Sequence, residues 1–194
     1  MHPSHLSVRI HRRNKAVLIR GPGSYPTTTV LRDTAVVNEN HKVCGSDEWR
    51  GHIREEVLPW AIGNLDLGDD VLEVGPGYGA TTDVLCERAA HLTAVEIDPE
   101  LVALLRDRFA GSTGVEIVEG DATKLEFPDG RFSGAASFTM LHHVPTTELQ
   151  DHLFAEIARV LRPAGAFAVG DGLGTPERDA LTDGVGPGCP DRAA

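Results

Sequence analysis

Three glycines, Gly75, Gly77 and Gly79, follow the acidic Glu73 in the stretch VLEVGPGYGA. Glycine weakens regular structure by about 0.5–1 kcal/mol relative to alanine, so three together mark a tight turn or a close approach to bare backbone. The turn sits between an apolar run and a helical pattern, where open α/β folds bind nucleotide-like ligands. Its spacing excludes a P-loop, because no Lys-Ser or Lys-Thr follows, and it departs from the dinucleotide fingerprint G-x-G-x-x-G, because the third glycine comes one residue early. Further along, the adjacent His142 and His143 offer groups that can move a proton near neutral pH. Cys44, Cys86 and Cys189 are scattered without a C-x-x-C pair. They read as free thiols of a reducing cytoplasm, not as a zinc site or a disulfide framework.

These residues need elements to position them. Ser46 is a helix N-cap candidate, and Trp49, Ile53, Val57 and Trp60 recur at helical spacing until Pro59 ends or kinks the helix. From Asp70 strands and helices alternate. DVLEVG is a buried strand and ATTDVLCERAA a helix; LTAVEI is the second strand. Asp98 caps a helix with Pro99 at its first position, and Leu101, Leu104, Leu105, Arg108 and Phe109 form its core-facing stripe, the Arg108 stem lying along the edge. VEIVEG and FSGAASF are the third and fourth strands. A helix with a Thr147-to-Gln150 capping box leads into a fifth, GAFAVGD. This alternation predicts a parallel sheet covered on both faces.

In this frame residues 43–171 resemble the class I S-adenosylmethionine-dependent methyltransferases. VLEVGPGYGA is similar to that family's first motif, AVEID to its second and EGDATKLEFPDGRF to its third. FTMLHHV and LRPAGAFAVGD are similar to the motifs of the fourth and fifth strands. The resemblance implies a Rossmann-like three-layer α/β sandwich with a mostly parallel central sheet and S-adenosylmethionine as cofactor, with no metal. It implies that Gly75, Pro76, Gly77, Tyr78 and Gly79 pass under the methionine part of the cofactor, where a Cβ would collide, and that Glu73 meets its ammonium through water. Glu96, beside Ile97, would accept the ribose hydroxyls, for which an acceptor-only carboxylate is suited. Asp121 would accept from the adenine amino group, with the Ala122 amide at a ring nitrogen, and Thr139 would border the pocket. Glu73 also reads as a solvated strand-end carboxylate and Asp121 as a turn aspartate.

Methyl transfer requires the acceptor to be held about 3–3.5 Å from the methyl carbon, and a base only if the acceptor must lose a proton. His143 is the expected catalytic residue, with His142 diverging from it and a structural or capping role the alternative for both. Met140 and Leu141 are expected as pocket walls, Trp49 as a lid or core residue, and His41 and Asp171 as further residues able to reach the pocket.

The chain has 194 residues and a formal net charge of −11, with no apolar run long enough to span a bilayer. That balance predicts a cytoplasmic enzyme with a small-molecule acceptor, no nucleic acid and no membrane. Residues 1–38, carrying Arg9, Arg12, Arg13, Lys15 and Arg20 ahead of the first acidic residue, Asp33, read as a disordered basic arm. Residues 39–172 read as the methyltransferase core with its N-terminal helix, and residues 173–194 as a disordered Gly/Pro-rich tail. The fold is therefore expected to be truncated after the fifth strand, whose open edge would self-associate. Two other functions compete: a cofactor-binding but inactive methyltransferase-like protein, and an NAD(P)-dependent oxidoreductase.

Overall fold

The computed structural model describes residues 15–20 and 43–171, so His41, Cys189 and the C-terminal tail lie outside the described residues. Strand β1 (Lys15–Arg20) comes first. Helix α1 (Asp47–His52), a π-helical turn (Ile53–Val57) and α2 (Leu58–Ala61) follow. The core then alternates β2 (Asp70–Val74), α3 (Thr82–Leu85), β3 (His91–Glu96), α4 (Pro99–Arg108), β4 (Val115–Glu119) and β5 (Phe132–Phe138). A 3-10 turn (Leu141–His143), α5 (Thr147–Val160) and β6 (Leu161–Asp171) complete it.

The strands form one sheet in the order β1-β6-β5-β2-β3-β4, with every pairing parallel. Both faces are covered. Alternate residues of one strand serve opposite layers: Val71, Ala136, Ala166 and Ala168 join Ile53, Leu58 and Leu85 on one side. Leu72, Ala135, Phe167 and Val169 join Leu153, Ile157 and Val160 on the other. Period-two alternation with apolar residues in both phases is what a doubly covered parallel sheet requires. From the β2/β5 boundary chain order runs outward as β2-β3-β4 on one side and as β5-β6 on the other, where β1 adds at the edge, which makes the carboxyl ends of β2 and β5 the topological switch point of the fold.

Four expectations are corrected. The N-terminal segment, read as a disordered arm, contributes β1, whose Lys15 to Arg20 pair in register with Ala166 to Asp171. That strand covers β6, so the open edge expected to self-associate is occupied. In the first helical region Trp60 is 48% exposed while Ala61 is buried. The cause is the π-turn: the Leu58 amide reaches the Ile53 carbonyl, five residues back, and the extra residue rotates the following turn away from the predicted stripe. In α4, Leu104 is 40% exposed and Val102 takes its place beside Leu101, Leu105 and Phe109. Finally, α3 is one turn long instead of the predicted eleven-residue stretch, and the chain continues in turns to β3.

Candidate functional site

The glycine turn leaves β2 at the switch point, and its three glycines answer to three different neighbours. At Gly75 (φ +68°) a Cβ would collide with Met140 Cγ, so this residue lets the turn after β5 fold back over it. At Gly79 (φ +82°) it would meet Leu105, Arg108 and Phe109 of α4. At Gly77 (φ +55°) it would meet nothing within 4 Å, so this backbone faces the open cleft. The bare-backbone cradle expected of all three is therefore confined to Gly77. Arg108 fastens the turn from outside, donating to the Tyr78 carbonyl and pairing with Asp83.

A cleft of about 310 Å³ opens in front of Gly77. Gly75, Pro76, Gly77, Tyr78, Glu96, Ile97, Asp121, Ala122, Thr139 and His143 line it, together with Cys44, Trp49 and Met140. Glu73 and Gly79 lie behind this wall. Glu73 is 2% exposed, and neither its Oε2 nor the equally buried Thr82 hydroxyl has a hydrogen-bond partner. Burial pushes its carboxyl up to about 8; the neighbouring Thr82 side chain opposes that shift, while Glu96 and Asp83 reinforce it.

Glu96 is bound into the backbone. Its Oε1 accepts from the Ile97 amide at 2.9 Å and the Asp98 amide at 3.1 Å, and its Oε2 accepts from the Gly77 amide at 3.1 Å. Burial raises its carboxyl, and these three amides work in the opposite direction. A carboxylate offers about two acceptor sites on each oxygen, so Oε2 keeps one beside the Gly77 amide, and a vicinal diol could bridge both oxygens only by sharing or displacing the Ile97 or Asp98 amide on Oε1. Asp121 Oδ1 accepts from the Thr123 amide at 2.8 Å and its hydroxyl at 2.7 Å, the turn arrangement weighed as its alternative, so Oδ2 is the oxygen a ligand would meet.

The far wall is the turn after β5. Thr139 holds φ +53°, a costly conformation for a β-branched residue, with its amide donating to the Gly170 carbonyl at 2.8 Å. That reversal carries Met140 over Gly75. The Gln150 side chain of α5 donates to the Leu141 and Val144 carbonyls at 3.3 and 3.0 Å and holds the 3-10 turn. His143 lines the cleft, whereas His142 and Leu141 do not. Contrary to expectation the two histidines do not diverge: their ring centroids lie 4.1 Å apart. Asp171 binds His142 instead of entering the cleft. Trp49 lines the cleft and also packs against the core, joining the two roles set apart for it.

Sequence reasoning did not find Arg108 and Gln150 as supports of the site, nor the clamp of Asp171 on His142. A cation inside the apolar stripe of α4 was the available signal for Arg108. The sequence pattern places Gln150 in a capping box with Thr147, but the observed cap is Thr146, whose hydroxyl accepts from the Leu149 amide at 3.2 Å.

The family model described as "Methyltransferase domain" matches residues 72–169. A probable ribosomal RNA small subunit methyltransferase A of Methanosarcina mazei is 46% identical over 69 residues, covering 36% of this chain and 26% of the relative. The ribosomal RNA small subunit methyltransferase A of a Synechococcus strain is 50% identical over 82 residues, covering 40% of this chain and 29% of the relative. The chain thus spans under a third of the length of these curated relatives. Among solved structures, the PH0226 protein of Pyrococcus horikoshii superposes with a TM-score of 0.60 at 25% identity, covering 69% of this chain and 65% of that one. The relatives overturn the expectation of a small-molecule acceptor and no nucleic acid, since both are named for ribosomal RNA. That expectation came from a net charge averaged over the whole chain, which hides the basic segment before Asp33. Among the described residues no helix is long and apolar enough to cross a membrane.

Proposed function

Because this chain belongs to the methyltransferase domain family, with S-adenosylmethionine as its cofactor, we propose that it transfers a methyl group to an RNA acceptor. The observation that carries the acceptor class is the 46–50% identity to small-subunit ribosomal RNA methyltransferases through the matched segments. The charge distribution supports it. The basic segment enters the sheet as β1, whose Arg20 is in register with Asp171 at the carboxyl edge where the cleft opens. An otherwise acidic chain thereby carries a positive segment suited to phosphates.

The residues fit the cofactor. Gly77 presents open backbone, and the unpartnered Glu73 oxygen behind it suits a cation reached through water. Glu96 and Asp121 offer acceptors for hydroxyl and amino groups, and the Ala122 amide offers a donor. When bound, S-adenosylmethionine supplies a methyl group on a sulfonium, an electrophile that needs no metal or redox partner. The protein's part is positional. Met140 and Thr139 wall the cleft, Trp49 covers it from α1, and His143 receives the proton that an acceptor N–H or O–H gives up as its bond to carbon forms. An acceptor base inside a duplex has to leave the stack to reach such a pocket.

The test is incorporation of tritiated methyl from S-adenosylmethionine into unmodified small-subunit ribosomal RNA, with Gly77→Val as the control. Valine there points into the cleft and is strained by the positive φ, so circular dichroism must show that the variant remains folded. The expected result is label in RNA that ribonuclease releases and Gly77→Val abolishes. Calorimetric cofactor binding by the wild type, with no label entering RNA, would overturn the acceptor assignment.

A further inference from the structure

The turn after β5 holds a constellation that the methyl-transfer reading leaves without a role. Asp171, the last residue of β6, accepts twice from one neighbour: Oδ2 takes the His142 backbone amide at 2.8 Å and Oδ1 faces His142 Nδ1 at 2.8 Å. An ionised carboxylate only accepts, so this contact fixes the neutral imidazole with its proton on Nδ1. The two contacts hold both the main chain and the ring of His142, which leaves the ring little freedom to rotate. His142 then lies against His143, with ring centroids 4.1 Å apart at 43°, and His143 is the one of the pair that borders the cleft. From the other side α5 steadies the same turn through the neutral Gln150 amide.

We propose that Asp171 and His142 are positioning residues: the carboxylate clamps His142, and the clamped ring sets the orientation and charge environment of His143 at the cleft. The clamp rests on the proton-accepting role proposed for His143. It adds a physical reason for the paired histidines. The first is the clamped ring, and the second, packed against it, is the one that borders the cleft.

The first readout needs no acceptor. Nitrogen-detected NMR of the histidine rings, recorded on the wild type and on Asp171→Asn, reports the tautomer directly. The wild type is expected to show neutral His142 as the Nδ1–H tautomer. In Asp171→Asn the His142 ring should lose that tautomer preference, because the carboxylate that accepts from Nδ1–H is gone. His142 protonated on Nε2 in the wild type, or an Nδ1–H tautomer that persists unchanged in Asp171→Asn, would overturn the clamp. The second readout is turnover on RNA. Asp171→Asn should lower kcat by roughly 10- to 100-fold, a part of the 10²–10⁴ that a positioned base contributes. The calorimetric affinity for S-adenosylmethionine should stay the same, and Asp171→Glu should recover part of the rate. An unchanged kcat would sink the clamp as a contributor to catalysis. A His142 tautomer that changes as expected in a protein that never methylates RNA would retain the clamp and refute the acceptor reading, so the two failures are separable.

Discussion

At the scale of single residues, the buried carboxyl of Glu73 has a thermodynamic signature. In the unfolded chain it titrates near its ordinary 4.5, and in the fold near 8. Between those values the folded chain keeps a proton that the unfolded chain has released. Glu73 therefore favours folding less and less as pH rises through that window, by about 1.4 kcal/mol for each pH unit. Glu73→Gln, a neutral isostere, should remove that slope. The check is urea unfolding of wild type and variant between pH 5 and pH 8. The variant should gain on the wild type as pH rises, and a constant difference would mean that Glu73 is already ionised in the fold. The position of Glu73 was legible in the sequence, since a carboxylate ahead of a glycine turn is a local pattern. Its protonation was not, because it depends on burial against Thr82, Asp83 and Glu96, which only the folded sheet brings together.

Elements obeyed local chemistry where local chemistry was strong. Asp98 begins α4 as its sequence predicts, its Oδ1 accepting from the Glu100 and Leu101 amides at 2.9 and 3.4 Å with Pro99 behind it. Asp98→Ala should cost about 1 kcal/mol of stability, within the 0.5–2 kcal/mol range for such caps, and the urea midpoint will show it. A loss below about 0.3 kcal/mol would mean that tertiary packing, not the cap, fixes this helix start. Predictions failed where a single residue changes phase. The π-turn at Ile53–Val57 displaced Trp60 from the core, and a cap one residue early released Gln150 to hold the histidine turn. Apolar spacing assumes an unbroken period of 3.6 residues, and one inserted or borrowed residue reverses the face assigned to everything after it.

For the whole molecule, the average charge misled where its distribution informs. Arg9, Arg12 and Arg13 lie in the basic segment, outside the described residues, and replacing all three with serine removes their charge. If this segment grips RNA, the variant should bind RNA more weakly, and its log–log salt dependence should flatten by about 0.7–0.9 for each lost phosphate contact. Filter binding across a salt series measures both, and an unchanged slope would remove the segment from the interface. The five core strands were legible because each carries its own apolar pattern, whereas β1 was hidden because its reason for being a strand lies at the far side of the sequence. Lys15 pairs with Ala166 and Arg20 with Asp171. That separation sets an order of events on the ribosome. β1 is made early and has no partner strand until β6 emerges, so it can join the sheet only after the rest of the strands have been made. Until then the segment that we assign to RNA is free of the sheet, and the nascent chain shows its most basic stretch to the synthesising ribosome before it can fold the residue that clamps His142.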